Sequence, residues 1–220
     1  MGARLSAGGA GAVVVLALLG LTAAGCGAAS EPVSSASGRV SSASESVSSS
    51  AIPRSLLLGA RPIGRGPRFH PPAGGPVIGP CMRRLGPREE VHVELFAANR
   101  VVLVPAGIGT RPPLRFFSGR IAGAGCYGAL VTIDPTGLLL VSRARRLTLS
   151  DLFRSWGQPL TRRRLGAFPA SRGSRVEVFV GGRRWRAPPG SVPLTEHSEI
   201  VLEVGPHVPP HTGYTFPPLS

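Results

Sequence analysis

No lysine occurs in this chain; all 25 of its basic residues are arginine. A GC-rich codon bias produces such a composition, so the arginines do not by themselves signal a dedicated partner. Acids are scarce, 11 against 25 bases, and the formal charge is +14. Aromatic residues make up only 5%, and no basic–aromatic alternation of the kind that stacks single-stranded nucleic acid is present. Cysteine is limited to three positions, none in a Cys-x-x-Cys pair, which speaks against redox catalysis and a zinc knuckle. The apolar run Ala12 to Leu21 falls short of the about 20 residues needed to span a bilayer. No Ser-His-Asp order, phosphate loop or paired-carboxylate motif stands out, and "GIG" at 107–109 is too short for a phosphate cradle.

What is present begins with an address. Arg4, the short apolar run and the small residues after it read as a secretory signal over residues 1–25. In "AAGC", the residues Ala24, Gly25 and Cys26 resemble the lipobox of bacterial lipoproteins, where a diacylglycerol is joined to the cysteine by a thioether and the chain is cut before it. Ala23 stands where leucine is usual, so ordinary signal-peptidase cleavage and a secreted product form the alternative. The resemblance implies lipidation of Cys26 and an extracytoplasmic domain anchored to the cell membrane, because two acyl chains at ~0.8 kcal/mol per buried methylene anchor stably. With Cys26 lipidated, Cys81 and Cys126 remain as an even pair. In an oxidising compartment they are expected to bond, closing a loop of roughly 45 residues worth on the order of 4 kcal/mol.

Composition then divides the chain. Residues 26–75 read as a Ser/Pro/Gly-rich tether, with "VSSAS" at 33–37 and again at 40–44 and too little apolar surface to offset the entropy of ordering. Residues 76–206 read as an α+β domain and 207–220 as a Pro-rich tail. "VHVELF" (91–96) and "VVLV" (101–104) flank Asn99 as a hairpin. "GALVTI" and "LLLVS" flank Asp134-Pro-Thr-Gly137 as a second, and "VEVFV", Gly181-Gly182 and "RRWRA" form a third. Thr148 and Asp151 have capping spacing ahead of Leu149, Leu152, Phe153 and Trp156, and Gly157 and Pro159 stop the run, so 149–156 reads as one short helix. "EIVLEV" (199–204) is the last strand. Antiparallel hairpins packed on one short helix predict a β-grasp-like arrangement first and a small sandwich second.

Of the five histidines, His70 lies in the tether, while His207 and His211 lie in the Pro-rich tail. His92 alternates with Glu94 on one strand face, so these two, with Asp134, are weak candidates for metal ligation against the simpler assignment of a surface pair. The arginines crowd at Arg143, Arg145 and Arg146, at Arg162, Arg163 and Arg164, and at Arg183, Arg184 and Arg186. Such clusters attract polyanions, including anionic envelope polymers; export argues against nucleic acid, and a solvated face is the plainer explanation.

Four stretches carry a further likeness: "VPAGIG" (104–109), "LTLSDLFRSWGQPL" (147–160), "VPLTEHSEIVLEVG" (192–205) and "YTFPPL" (214–219). Together they resemble an uncharacterised family of exported bacterial proteins, from about Cys81 to Leu219. That family has a histidine-rich core that resembles a metal site, built from an H-x-H-x-H strand and a "CxYWLHTHDxxGxIHVE" hairpin. The corresponding hairpin here is "CYGALVTIDPTGLLLVS" (126–142). Cys126, Leu130, Thr132, Asp134, Gly137 and Val141 match it. Val131, Ile133 and Leu140 occupy histidine positions, and Ser142 the glutamate position. On the first strand only His92 matches, with Arg88 and Glu90 in place of histidines. Aliphatic side chains ligate no metal, so the resemblance implies a kept scaffold and a lost metal site, with Val131, Ile133 and Leu140 packed as an aliphatic cluster. The expectation is a non-enzymatic binding or structural role at the envelope, without a cofactor. A metal-binding or metal-dependent role and a polyanion-binding surface are the alternatives.

Overall fold

The structure, a computed structural model, describes residues 61–208 and 213–216. The signal, Cys26, the Ser-rich part of the tether and His211 lie outside the described residues. Along the chain run β1 (Arg88–Ala97), β2 (Arg100–Val102), β3 (Thr110–Arg111), β4 (Arg115–Phe117), β5 (Arg120–Gly123), β6 (Cys126–Tyr127), β7 (Leu130–Val131) and β8 (Leu138–Ser142). Helix α1 (Leu149–Trp156) follows, then β9 (Leu160–Thr161), β10 (Arg164–Leu165), β11 (Phe168–Pro169), β12 (Glu177–Val180), β13 (Arg183–Arg184) and β14 (Glu199–Val204). The fold is a small α+β one.

The main sheet has the order β13-β12-β14-β1-β8-β7, with β2 also on β1. All three expected hairpins form. Ala97 faces Arg100 across Ala98 and Asn99, both at positive φ, the geometry that a two-residue hairpin turn demands. Leu130 faces Val141 and Val131 faces Leu140. Phe179 faces Arg184 beyond Gly181-Gly182. One expectation is corrected. The sheet is not made of antiparallel hairpins alone, because β1 and β14 pair in parallel, from His92 beside Glu199 to Ala97 beside Val204. Parallel neighbours need a long crossover, and turn signals report only local pairing.

One face of β1 carries Val91, Val93 and Leu95, all buried with Leu139 and Val141 of β8, Ile200 and Leu202 of β14, and Leu149, Leu152, Phe153 and Trp156 of α1 in one cluster. Each such side chain stabilises the fold by ~1.5–3 kcal/mol relative to exposure. The helix is held at its start by Asp151, whose carboxylate accepts from the Thr148 N–H at 3.0 Å and its hydroxyl at 3.2 Å. Gly157 ends it at φ 81, the left-handed conformation that glycine adopts without a Cβ penalty.

The "VPAGIG" segment is pinned to β7 by a single buried threonine. Thr132 Oγ1 donates to Pro105 O at 2.7 Å and accepts from the Ile108 N–H at 3.0 Å. The Gly107 N–H donates to Thr132 O at 2.9 Å. Gly109 sits at φ +69, where an added Cβ would collide with the Leu130 carbonyl. The motif is thus a bracing loop. Cys81 and Cys126 form a disulfide with their Cα atoms 5.3 Å apart, tying the approach to β1 onto β6 beside the Met82–Tyr127 bridge.

Residues 61–75 were assigned by composition to the tether, but here they lie against the domain. Gly64 N–H donates to Val101 O at 3.0 Å, Leu103 N–H to Phe69 O at 2.8 Å and Gly74 N–H to Trp156 O at 3.1 Å. The ring centroids of Phe69 and Phe168 are 4.7 Å apart. The apolar residues here lack periodicity, so composition hides them.

Candidate functional site

The second face of β1 is where the candidate residues meet. Strand alternation puts Arg88, Glu90 and His92 on it, opposite Ser142, Leu140 and Leu138 of β8. Val131 pairs beyond Leu140. The register makes these positions neighbours across the three strands β1, β8 and β7. All three β1 side chains are buried, although simple alternation predicts a solvated second face. Val131 and Leu140 are buried and paired in register, and Ile133 is half-buried with its carbonyl accepting the Ile121 N–H at 2.7 Å.

The tail closes over this face. Tyr214 stacks on His92 with centroids 3.9 Å apart and planes at 14°. Phe216 meets Tyr214 edge-on at 5.0 Å and packs at 4.7 Å against His197. His92 Nε2 lies 3.1 Å from the Thr136 carbonyl oxygen, which only accepts, so that nitrogen carries the proton and donates. Gly137, at φ +83, sits beside the same ring, and a Cβ there would strike the Val93 carbonyl. Asp134 accepts from the Thr136 hydroxyl and pairs with Arg120 at 3.3 Å; it shapes the turn. An open cleft of about 480 Å³ borders Arg120, Asp134, Thr136, Leu138 and Tyr214. Burial first, then the charges of Asp134 and Glu90, push the Tyr214 phenol up, with Arg120 opposing. Burial pushes the Arg88 guanidinium down; its Nε donates to Leu85 O at 2.7 Å.

Of the metal candidates, His92 and Asp134 both approach Tyr214. Glu94 is half-buried, paired in register with Val201, and does not line the cleft. Among the described residues no group of three or more His, Cys, Asp or Glu converges as a metal would require. His70 bonds through Nε2 to Gly64 O at 2.8 Å, and His207 pairs with the buried Glu203.

The arginine clusters separate. Arg143 pairs with Glu196 at 3.1 Å, and Arg145 and Arg146 are exposed in the turn after β8. Arg164 turns back onto Gly166 O at 3.0 Å, while Arg163 and Arg183 are exposed. Arg162, Arg184 and Arg186, in contrast, line one cleft together with Arg175, Glu177 and Trp185. Sequence reasoning missed Arg175, Glu177 and Trp185, since single residues carry no cluster signal. It missed Tyr214 and Phe216 as partners of His92 and His197 as well, although the "YTFPPL" likeness marked their segment.

Comparison with protein-family models, with curated proteins and with solved structures returns no match.

Proposed function

We propose that this chain is a lipid-anchored extracytoplasmic protein, held to the cell membrane through Cys26, whose domain has a non-enzymatic binding role at the envelope. The observation that carries this reading is the Cys81–Cys126 disulfide within the domain, because such bonds persist in oxidising compartments outside the cytoplasm. The face where the resembled family has histidines supports a role without metal catalysis: Val131 and Leu140 fill it, and His92 commits Nε2 to a backbone carbonyl. For the fold itself we propose a β-grasp-like arrangement. It is supported by the first and last sheet strands lying side by side in parallel, with β8 outside one and β12-β13 outside the other.

The test is a fatty-acid probe in living cells with Cys26→Ala as the control. Label on the wild type, lost in the variant along with membrane association, is the expected result, since a diacyl anchor is the only strong one in the sequence. An unlabelled wild-type protein found in the culture fluid would reject the anchor.

A further inference from the structure

We infer that the cleft between the β12–β13 hairpin and the β9–β10 turn binds a phosphate-class oxyanion. This deepens the binding role proposed above and rests on it only for the compartment in which the anion is met. The cleft has a volume of about 200 Å³, suited to a group of phosphate or pyrophosphate size. Arg162, Arg175, Arg184 and Arg186 line it from three segments of chain, against the single carboxylate of Glu177. Four cations against one acid leave an excess of three positive charges.

Glu177 is already engaged at both oxygens. One meets Arg175 at 3.0 Å and the other meets Arg184. Arg162 and Arg186 have no carboxylate partner among the described residues. Trp185 lines the cleft and packs against the core. Indole and guanidinium groups donate hydrogen bonds and accept none. Arg162 and Arg186 therefore line the cleft with guanidinium donors that no carboxylate engages, and an anion oxygen can accept from them. Guanidinium forks match the paired oxygens of phosphate. Donors drawn from three segments suit a tetrahedral anion better than a planar carboxylate. The Arg143, Arg145 and Arg146 cluster lacks this enclosure and serves as a charge-matched comparison.

The test uses the full chain in non-ionic detergent at about 0.1 M ionic strength, where distant charges are screened beyond about 10 Å. Pyrophosphate and inorganic phosphate are titrated by calorimetry and by tryptophan fluorescence; the chain has two tryptophans, and Trp156 is buried in the core. Saturable binding is expected, with Arg162→Ala/Arg186→Ala weakening it about tenfold or more and Arg143→Ala/Arg146→Ala leaving it unchanged. Vesicles with and without phosphatidylglycerol identify the source. Vesicle binding that needs Arg162 and Arg186 assigns the site to a lipid headgroup, and pyrophosphate binding without it assigns a soluble phosphate. Absence of saturable binding, or equal losses in both arginine pairs, would overturn the proposal, and neither outcome depends on the anchor at Cys26.

Discussion

Tyr214 and Thr132 show how much single polar side chains organise here. Tyr214 covers His92 while facing the negative charges of Asp134 and Glu90, and its phenol is pushed above the ordinary value of 10. A raised phenol pKa means that the folded chain holds this proton more tightly than the unfolded chain. Its contribution is fully present below about pH 10 and is lost as pH climbs from there through the folded value. With Tyr127→Phe leaving Tyr214 as the only tyrosine of two, ultraviolet titration should show ionisation above pH 10, and Asp134→Asn should lower that midpoint. Thr132 is fully buried and serves as donor and acceptor at once. Thr132→Val keeps the shape but orphans the Ile108 N–H and the Pro105 carbonyl, so chemical denaturation should show a loss of about 1–3 kcal/mol.

At the scale of elements, α1 is only eight residues long, too short to be stable alone. It survives because Leu149, Leu152, Phe153 and Trp156 are buried on the sheet and because its first turn is closed by Asp151. Asp151→Ala removes the acceptor of the Thr148 N–H and hydroxyl and an ion pair with Arg154 at 2.9 Å. The cost should be about 1 kcal/mol, read from the denaturant midpoint with an unchanged slope. The exposed Arg154 pair adds little to this. β1 is the opposite case. It is ten residues long and buried nearly throughout, flanked by β14 on one side and by β8 and β2 on the other, so both of its edges are paired, while Tyr214 lies over His92 on its second face.

For the molecule as a whole, the disulfide is the one covalent tie between distant segments among the described residues, spanning 45 positions. Cys126→Ser should lower stability by about 2–5 kcal/mol, measured as a fall in Tm of the oxidised protein. Thiol titration of the denatured, unreduced wild type should find neither Cys81 nor Cys126 free; two reactive thiols there would refute the bond. The same tie holds the segment before β1 against β6, so its loss should loosen residues 81–87 ahead of the core, visible as faster amide exchange there.

By itself the sequence determined what is local. The three hairpins follow from Asn99, from Asp134 with Gly137 and from Gly181-Gly182, because turn chemistry acts within a few residues. The helix follows from Thr148, Asp151 and Gly157 in the same way. Pairing of Cys81 with Cys126 was legible by counting. Contacts between distant segments were decided only in the tertiary structure. The parallel β1–β14 pair joins strands roughly a hundred residues apart, and no local signal encodes which edges meet. Residues 61–75 join the domain through backbone bonds that composition does not display. Tyr214 returns across the sheet to stack on His92, and Phe216 packs on His197, so the surroundings of His92 could not be read from strand alternation. The cleft of Arg162, Arg175, Arg184 and Arg186 exists because the β9–β10 turn meets the chain entering β12, where the Val176 N–H donates to Arg162 O at 2.9 Å; charge clusters along a chain become a site only when folding brings their fields together.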